Sequence, residues 1–302
     1  MERSQDAWTR RARAFWQERQ RRAAPGALTG YLLDESPAGI GRHRFEGEWG
    51  RVRGWLGRRG LGRGACLDVG CGTGAWLRAL ATDFDSVEGW DYAPAMVQAS
   101  RRGLKEAGIR HATVRLGEVT GRRGRAVFDF IFVGGVLMYT PEARLGPLLK
   151  SLARLLKPGG LLILRESTVE GAPWQRQGLA LRPGLLGPAQ AGPDLDYVAI
   201  YRSRGALVAG LKAAGLGVEA VRANRHYKLS DLTEDWLRRL DAISGGRLGR
   251  DARLAERAAA WIHGGRFFLC YPEYFVRQTL GLAPWKIQNH WFLCTREGAA
   301  RR

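Results

Sequence analysis

A short apolar segment that runs directly into a glycine-rich turn constrains the fold of this chain more than any other sequence feature. Residues 65–69 read Ala-Cys-Leu-Asp-Val, residues 70–74 read Gly-Cys-Gly-Thr-Gly, and a helical pattern starts at Ala75. Glycines let the backbone adopt positive φ and let a ligand approach closely, and the first turn of the following helix offers free N–H groups. The pattern therefore predicts a buried strand, a tight turn and a helix at one edge of a parallel sheet.

This turn alone is compatible with three interpretations: a dinucleotide site, a sharp turn that binds nothing, or a site for another ligand. Asp68 lies at the strand end, where it would repel a pyrophosphate, and no phosphate-loop lysine follows it. A carboxylate at this position suits a cationic ligand with an amino acid head group better. We therefore favour such a ligand over a dinucleotide.

Short apolar runs alternate with helical patterns on both sides of this region, as in βαβ units. Seven segments are predicted as strands: 65–69, 86–90, 113–116, 127–133, 161–165, 217–222 and 289–295. Four helices are predicted between them: 75–81, 93–104, 141–156 and 203–214. The predicted fold class is α/β, a doubly wound and mainly parallel seven-stranded sheet with helices on both faces.

Acidic residues and glycines follow the predicted strands at the edge where open α/β sheets bind ligands. Asp91 ends the second strand, about twenty residues after the turn, where a carboxylate accepts hydrogen bonds from both hydroxyls of a ribose. Glu118 follows the third strand, where an acid reaches an adenine amino group, and Gly134-Gly135 at the end of the fourth strand leave room for a ligand. A helix N-cap explains Asp91 by itself, but the set together favours a nucleoside-containing ligand.

Five sequence elements, in this order and spacing, resemble the class I S-adenosylmethionine-dependent methyltransferases, which have a Rossmann-like fold. The elements are L-D-V-G-C-G-T-G at 67–74, V-E-G-W-D-Y-A-P-A-M at 87–96, G-E-V at 117–119, F-D-F-I at 128–131 and L-K-P-G-G-L-L-I-L at 156–164. The resemblance is dense over residues 65–168. It implies S-adenosyl-L-methionine as the cofactor and transfer of its methyl group as the activity.

The same resemblance assigns ten cofactor-binding residues in three groups. The methionine part of the cofactor would lie against Asp68, Gly70, Cys71, Gly72 and Gly134. The ribose would bind Asp91. The adenine would lie against Tyr92, Met96, Glu118 and Val119. The glutamate at 118 departs from the aspartate that is more usual in this family.

Two residues near the ends of the fourth and fifth strands are candidates for catalysis. Methyl transfer is a direct displacement that requires an aligned, desolvated nucleophile, and a base is needed only where the nucleophile must first lose a proton. No Asn-Pro-Pro-Tyr motif follows the fourth strand. Tyr139 could point a hydroxyl into the acceptor site, and Glu166 borders the same cleft. A packed aromatic ring and a solvated loop acid are the alternative interpretations of these two residues.

A second, weaker resemblance points to the protein N-terminal α-amine methyltransferases. The segments Ala12-Arg13-Ala14-Phe15-Trp16 and Asp194-Leu195-Asp196 look like the segments of that subfamily in which a tryptophan and an aspartate hold the substrate amine. This resemblance implies that Trp16 binds the substrate and that Asp196 belongs to the catalytic residues.

The chain departs from that subfamily at three places. Ala75 stands where an arginine binds the cofactor carboxylate, Glu166-Ser167 replaces an Asp-Asn pair, and residues 224–288 have no counterpart. If Ala75 leaves the carboxylate without a ligand, Arg42 or Arg44 is the candidate.

Four parts of the chain are predicted: 1–60 as an N-terminal helical lid, 61–223 as the cofactor-binding core, 224–288 as a helical insertion on the acceptor side, and 289–302 as the last strand and a tail. Within them, a helix up to Arg22, a loop at 37–48 and a long loop at 171–193 are predicted from periodicity and from glycine and proline content. The aromatic-rich segment 266–275 packs the insertion onto the sheet, caps the acceptor pocket or touches a membrane surface.

The chain is strongly basic, with 48 Lys+Arg against 29 Asp+Glu and a net charge of +19. Only six of the basic residues are lysines, and no detached basic tail is present. Codon bias toward arginine therefore explains the charge better than a polyanionic partner does. A surface for nucleic acid or an anionic membrane stays the alternative.

The predicted function is methyl transfer from S-adenosylmethionine to an O or N acceptor, either a small molecule or a peptide amine. Two alternatives stay open: an RNA methyltransferase, suggested by the charge, and a catalytically silent cofactor-binding partner subunit. No apolar run of membrane-spanning length and no secretory signal is present, so the chain is predicted to be cytoplasmic. The histidines and the four cysteines lack metal-ligand spacing, so no metal is predicted.

Overall fold

A seven-stranded sheet forms the centre of the computed structural model, which describes residues 2–22, 38–169, 174–179, 195–264, 270–280 and 287–296. Its strands are β1 (Ala65–Val69), β2 (Ser86–Asp91), β3 (Ala112–Leu116), β4 (Phe128–Gly134), β5 (Leu156–Val169), β8 (Leu216–Ala223) and β9 (Ile287–Arg296). A separate two-stranded sheet pairs β6 (Trp174–Leu179) with β7 (Leu195–Tyr201).

The strand order of the main sheet is β3-β2-β1-β4-β5-β9-β8. The pairs among β1 to β5 are parallel, and β9 runs antiparallel to both of its neighbours, β5 and β8. The predicted α/β class with a mainly parallel seven-stranded sheet is confirmed.

Ten helices are described. Two precede the sheet, α1 (Glu2–Arg22) and α2 (Ala38–Gly57). Four lie between strands, α3 (Ala75–Leu80), α4 (Pro94–Glu106), α5 (Glu142–Leu155) and α6 (Arg204–Ala213). The last four separate β8 from β9: α7 (Arg225–Ile243), α8 (Arg247–Arg250), α9 (Ala252–Gly264) and α10 (Cys270–Thr279). The predicted N-terminal helices and the helical insertion before the last strand are both present.

Both predicted loops are corrected by the structure. The loop at 37–48 is wrong, because α2 begins at Ala38 and buries Ile40, Val52 and Leu56 at helical spacing. Its glycine content suggests a loop, but the buried contacts along one face outweigh the weak helix propensity. The loop at 171–193 is wrong in part, because residues 174–179 form β6, whereas residues 180–193 lie outside the described part of the chain.

Alternate residues of β4 supply the core on the two faces of the sheet. Ile131 and Val133 pack among residues of α5 and α6 on one face. Phe130 and Phe132 pack among residues of α2, α3 and α4 on the other face. A strand buried on both faces explains why this segment is a continuous apolar run.

The insertion and the two N-terminal helices have small cores of their own. Leu229, Leu232 and Ile262 of the insertion pack with Ile40 of α2. Phe15 of α1 packs in a separate cluster with residues of β7 and of the turn after β4. The division of the chain predicted at residues 60, 223 and 288 stays a prediction.

None of the described helices is long and apolar enough to cross a bilayer.

Candidate functional site

The carboxyl ends of β1, β2 and β4 border a cavity of about 250 Å³. Ten residues predicted from the sequence line it: Trp16, Gly70, Gly72, Asp91, Tyr92, Met96, Glu118, Val119, Gly134 and Tyr139. The wall also contains residues that the sequence did not single out, among them Thr9, Trp90, Gly117, Thr120, Val136 and Arg144. One cavity thus brings together the ends of the first four strands that the motifs mark.

The glycine turn folds back over the end of β2. The N–H groups of Gly70 and Cys71 both donate to the Trp90 carbonyl, at N–O distances of 2.8 and 3.1 Å. Gly70 and Gly72 have φ of +69° and +54°, in the left-handed region that favours glycine. A Cβ on Gly70 would also overlap Cγ2 of Val136. The turn can therefore pack closely against Val136 only because position 70 has no side chain.

Asp91 is buried at the end of β2 and connects the glycine turn after β1 with the turn after β2. Its Oδ2 accepts the N–H of Gly72 at 3.0 Å, and its Oδ1 accepts the N–H of Ala93 at 2.8 Å. Burial raises the pKa of this carboxyl to about 6, against the opposing effect of the N–H donors. The carboxylate is held in place by backbone groups while it faces the cavity.

Asp68 lies at the end of β1, next in sequence to the lining residue Val69, but does not itself line the cavity. Only 1% of the residue is exposed. Its Oδ2 has no hydrogen-bond partner among the described residues. Burial, followed by the charge of Asp91, raises the pKa of Asp68 to about 8, whereas Arg165 acts in the opposite direction. A buried carboxyl with an unsatisfied oxygen favours positive charge nearby.

The wall at the end of β3 combines an acidic side chain, an arginine and apolar side chains. Glu118 accepts a hydrogen bond from Nη1 of Arg144 at 2.8 Å, and both residues line the cavity. The ring of Tyr92 lies beneath the Arg13 guanidinium, 5.7 Å from the ring centroid. The pKa of Tyr92 is raised mainly by burial, so its hydroxyl stays protonated. Val119 is buried beside them.

The opposite wall is built from α1 and from the turn after β4. The rings of Trp16 and Tyr139 meet edge to face, with their centroids 5.5 Å apart and their planes at 90°. Arg202 holds this turn from behind, donating to the carbonyls of Leu137 and Thr140, at 2.8 Å each. An N-terminal helix distant in sequence thus completes the cavity.

Glu166 is buried behind the same turn and is absent from the cavity wall as described. Its Oε2 accepts the N–H of Leu137 at 2.8 Å, and its Oε1 accepts the N–H of Ser167 at 3.2 Å. Burial raises its pKa to about 7. This geometry fits a residue that positions the turn, and its predicted catalytic role stays a prediction.

A buried polar cluster joins the sheet to α2 and α7. Glu48 accepts hydrogen bonds from Arg44 Nε at 3.1 Å, from Arg165 Nη1 at 2.6 Å and from Asn224 Nδ2 at 2.7 Å. A Cβ on Gly134 would lie 3.5 Å from Nη2 of Arg165, so this guanidinium lies directly behind the end of β4. Apart from the position of Arg165 at the end of the fifth strand, no sequence pattern predicts this arrangement.

The remaining predicted residues take different places. Cys71 is buried in the turn and is not part of the described cavity wall. Asp196 lies on β7, but its side chain lies outside the described part of the structure. Arg42 is exposed, Arg44 is buried against Glu48, and neither residue lines the described cavity wall. No group of three metal-binding side chains occurs among the described residues.

Comparison with known sequences supports the assignment of this core. Residues 66–160 match the family profile of a methyltransferase domain. Demethylmenaquinone methyltransferase from Anoxybacillus flavithermus is 31% identical over 106 residues, which are 34% of this chain and 44% of that protein. The dTDP-3-amino-3,6-dideoxy-alpha-D-glucopyranose N,N-dimethyltransferase of Streptomyces fradiae is 35% identical over 98 residues, 32% of this chain and 37% of that protein. The chain spans less than half the length of these curated relatives.

Solved structures share the architecture over a longer span. The DhpI-SAH complex superimposes with a TM-score of 0.52 at 20% identity, covering 72% of this chain and 92% of that one. A putative sarcosine dimethylglycine methyltransferase from Galdieria sulphuraria gives a TM-score of 0.52 at 17% identity, covering 83% and 85%.

The sheet order and the strand-end cavity together define the class I methyltransferase fold, as the sequence motifs predicted. Within that fold, residues 66–160 match the methyltransferase-domain family.

Proposed function

We propose that this chain is an S-adenosylmethionine-dependent methyltransferase that acts on an oxygen or nitrogen atom of a small-molecule acceptor. One observation carries the proposal: a single cavity is lined by the glycine turn, by the strand-end acids Asp91 and Glu118, and by the aromatic pair of Trp16 and Tyr139. The first group of residues fits a nucleoside with a charged tail. The second group leaves a separate, largely apolar wall for an acceptor.

The residues present fit the proposed cofactor on three independent grounds. The glycine turn has positive φ at Gly70 and Gly72, and both glycines line the cavity with their backbone. Asp91 presents a carboxylate that is fixed by two backbone N–H groups, in the position from which it can accept ribose hydroxyls. The unsatisfied oxygen of buried Asp68 favours the positive charge that a sulfonium or an ammonium group brings.

When bound, S-adenosylmethionine supplies a methyl group on a positively charged sulfur. The protein side chains have two tasks, which are to align the acceptor and to exclude water. Trp16 and Tyr139 form the wall suited to both tasks. Tyr139 is the titratable side chain that this wall presents, and no described carboxylate lines it. An acceptor that attacks without prior loss of a proton to a strong base, such as a neutral amine, therefore fits best.

The named relatives favour a small acceptor. The relatives reported above are named for a demethylated menaquinone and for an amino sugar nucleotide. A peptide amine would need the predicted role of Asp196. RNA as the acceptor and a silent cofactor-binding subunit are outcomes that the second experiment below distinguishes.

The first experiment measures affinity for S-adenosylhomocysteine by titration calorimetry. Asp91→Ala should weaken binding by about a hundredfold, because hydrogen bonds to a charged group are each worth roughly 1.5–3 kcal/mol. Asp91→Asn keeps one acceptor oxygen and should retain the fold if the alanine variant does not. Glu106→Gln, an exposed change on α4, is the matched control and should bind as the wild type does. Unchanged affinity in a folded Asp91→Asn variant contradicts the cofactor assignment.

The second experiment follows a labelled methyl group from S-adenosylmethionine into a cell extract that is separated into small-molecule, protein and RNA fractions. The expected result is label in the small-molecule fraction. Label in protein or RNA overturns the acceptor class, and cofactor binding without any transfer supports the silent subunit.

A further inference from the structure

Arg165 of β5 is a buried arginine next to the end of β4. Its Nη2 lies 3.5 Å from the position that a Cβ on Gly134 would occupy and 4.0 Å from the corresponding position on Gly135. Both glycines line the cavity, whereas Arg165 is 6% exposed and is absent from the cavity wall as described. The guanidinium therefore lies directly behind two wall residues that contribute only backbone to the cavity.

The strand register places Arg165 on the same face of the sheet as Asp68. Asp68 is aligned with Phe132 across β1 and β4, and Gly134, two residues further along β4, is aligned with Arg165 across β4 and β5. Residues two positions apart on a strand share a face, and so do residues aligned on neighbouring strands. Asp68 and Arg165 thus stand on either side of Gly134 at the carboxyl edge of the sheet.

The charges of these two side chains act on each other. Burial, followed by the charge of Asp91, raises the pKa of Asp68, whereas the charge of Arg165 lowers it. Oδ2 of Asp68 has no hydrogen-bond partner among the described residues. A carboxylate and a guanidinium on one face of the sheet edge match a ligand that carries an ammonium and a carboxylate on the same carbon atom.

Glu48 of α2 holds the Arg165 guanidinium by one terminal nitrogen. Oε2 of Glu48 accepts a hydrogen bond from Nη1 at 2.6 Å, whereas Nη2 is the nitrogen beside the glycines. Oε1 of the same carboxylate accepts hydrogen bonds from Arg44 and Asn224, so Glu48 is itself fixed. Because the guanidinium is anchored in this way, it loses little freedom when it binds an anion.

We propose that Arg165 binds the carboxylate at the amino acid end of S-adenosylmethionine, beside the ammonium group that Asp68 favours. Among the described residues of the cavity wall, Arg144 is the arginine present, and it is bound to Glu118 at the end of β3. The inference rests on the proposed function, since it takes S-adenosylmethionine as the ligand, and it adds the residue that recognises the cofactor carboxylate.

The test compares two ligands by titration calorimetry: S-adenosylhomocysteine and its decarboxylated form, which keeps the amine and lacks the carboxylate. The wild type should bind S-adenosylhomocysteine at least about tenfold more tightly, as expected for a hydrogen bond between charged groups. Arg165→Gln should lower this preference to less than about threefold by weakening S-adenosylhomocysteine alone, because the thermodynamic cycle isolates the contact. Arg165→Lys keeps the charge and should restore part of the preference.

Arg44→Gln is the matched control, because it removes another arginine that binds the Glu48 carboxylate but does not line the cavity. This control should keep the wild-type preference. Thermal unfolding identifies the variants that are folded, and Arg165→Met, which fills a similar space, replaces Arg165→Gln if the glutamine variant does not unfold cooperatively.

Four results would overturn the role of Arg165. They are a wild type without preference for the carboxylate, equal weakening of both ligands in a folded Arg165 variant, the same loss of preference in Arg44→Gln, and a preference that only Arg144→Gln abolishes. Absence of S-adenosylhomocysteine binding by the wild type would instead contradict the proposed function.

Discussion

The two ends of the cavity are built in different ways. At the end proposed for the cofactor, backbone atoms dominate: the glycine turn bonds to the Trp90 carbonyl, and Asp91 is fixed by two N–H groups. At the end proposed for the acceptor, side chains dominate: Trp16 meets Tyr139 ring to ring, and Arg202 supports the turn. The contacts at the first end join residues that are close in sequence, between Gly70 and Ala93. The contact between Trp16 and Tyr139 at the second end joins residues more than a hundred positions apart.

This difference explains what each end can tolerate. A site made of backbone is fixed by the fold, so a substitution there changes the shape of the turn itself. A site made of side chains on separate elements can be remodelled residue by residue while the sheet stays intact. We therefore expect the cofactor end to be sensitive to small changes and the acceptor end to control the choice of acceptor.

The largest effect is expected from Gly70→Ala at the cofactor end. The new Cβ would overlap Val136 and the residue would keep a positive φ, so we expect cofactor affinity to fall by about a hundredfold or more and stability by roughly 1–2 kcal/mol. Calorimetry with S-adenosylhomocysteine and chemical unfolding measure the two effects. Gly108→Ala is the matched control, because its φ of +68° imposes the same strain while no atom lies near its Cβ. Equal affinities in the two variants would show that the turn is not a binding element.

A smaller and more selective effect is expected from Trp16→Ala at the acceptor end. Loss of this wall should reduce labelled-methyl transfer by about tenfold through poorer positioning of the acceptor, while affinity for S-adenosylhomocysteine changes by less than about twofold. Trp55→Ala is the control, because Trp55 packs against Trp291 away from the cavity. A large loss of cofactor affinity in Trp16→Ala would mean that the two ends are not separate.

The last prediction concerns how stability depends on pH. Because the pKa of Asp68 is raised from 3.8 to about 8, the folded chain without ligand holds a proton that the unfolded chain releases. This proton stabilises the folded chain fully below about pH 4, and the stabilisation is lost as pH rises to about 8. As pH rises from 5 to 8, the free energy of unfolding measured in urea should therefore fall less for Asp68→Asn than for the wild type. A parallel pH profile would show that Asp68 ionises freely in the folded protein.

The same contrast describes what could be predicted from the sequence. The seven strands, the mainly parallel sheet and the meeting of Gly70, Asp91 and Glu118 at one cavity follow from local signals: apolar runs, glycines and strand-end acids. These signals lie within a few residues of the atoms that they position. Local sequence is sufficient there because the backbone itself forms the site.

The parts that sequence reasoning missed all depend on contacts between distant segments. The loop predicted at 37–48 is helical because Ile40 is buried by the insertion, more than 180 residues further along the chain. Arg144 reaches Glu118 from α5, and Glu48 reaches Arg165 from α2. In an arginine-rich chain no pattern distinguishes the arginines that carry such contacts from the ones that are exposed.

The position of β9 has a consequence for how the chain acquires its fold during synthesis. The strand lies between β5 and β8, so β8 has no neighbour in the main sheet until residues 287–296 leave the ribosome. During that interval the nascent chain exposes an open edge on β5, which is a template for wrong pairing. The helical insertion is translated in between, so its own compact core can form first and hold β8 within reach. Completion of the sheet is thus a late, long-range step that should make co-translational folding slow in its last stage.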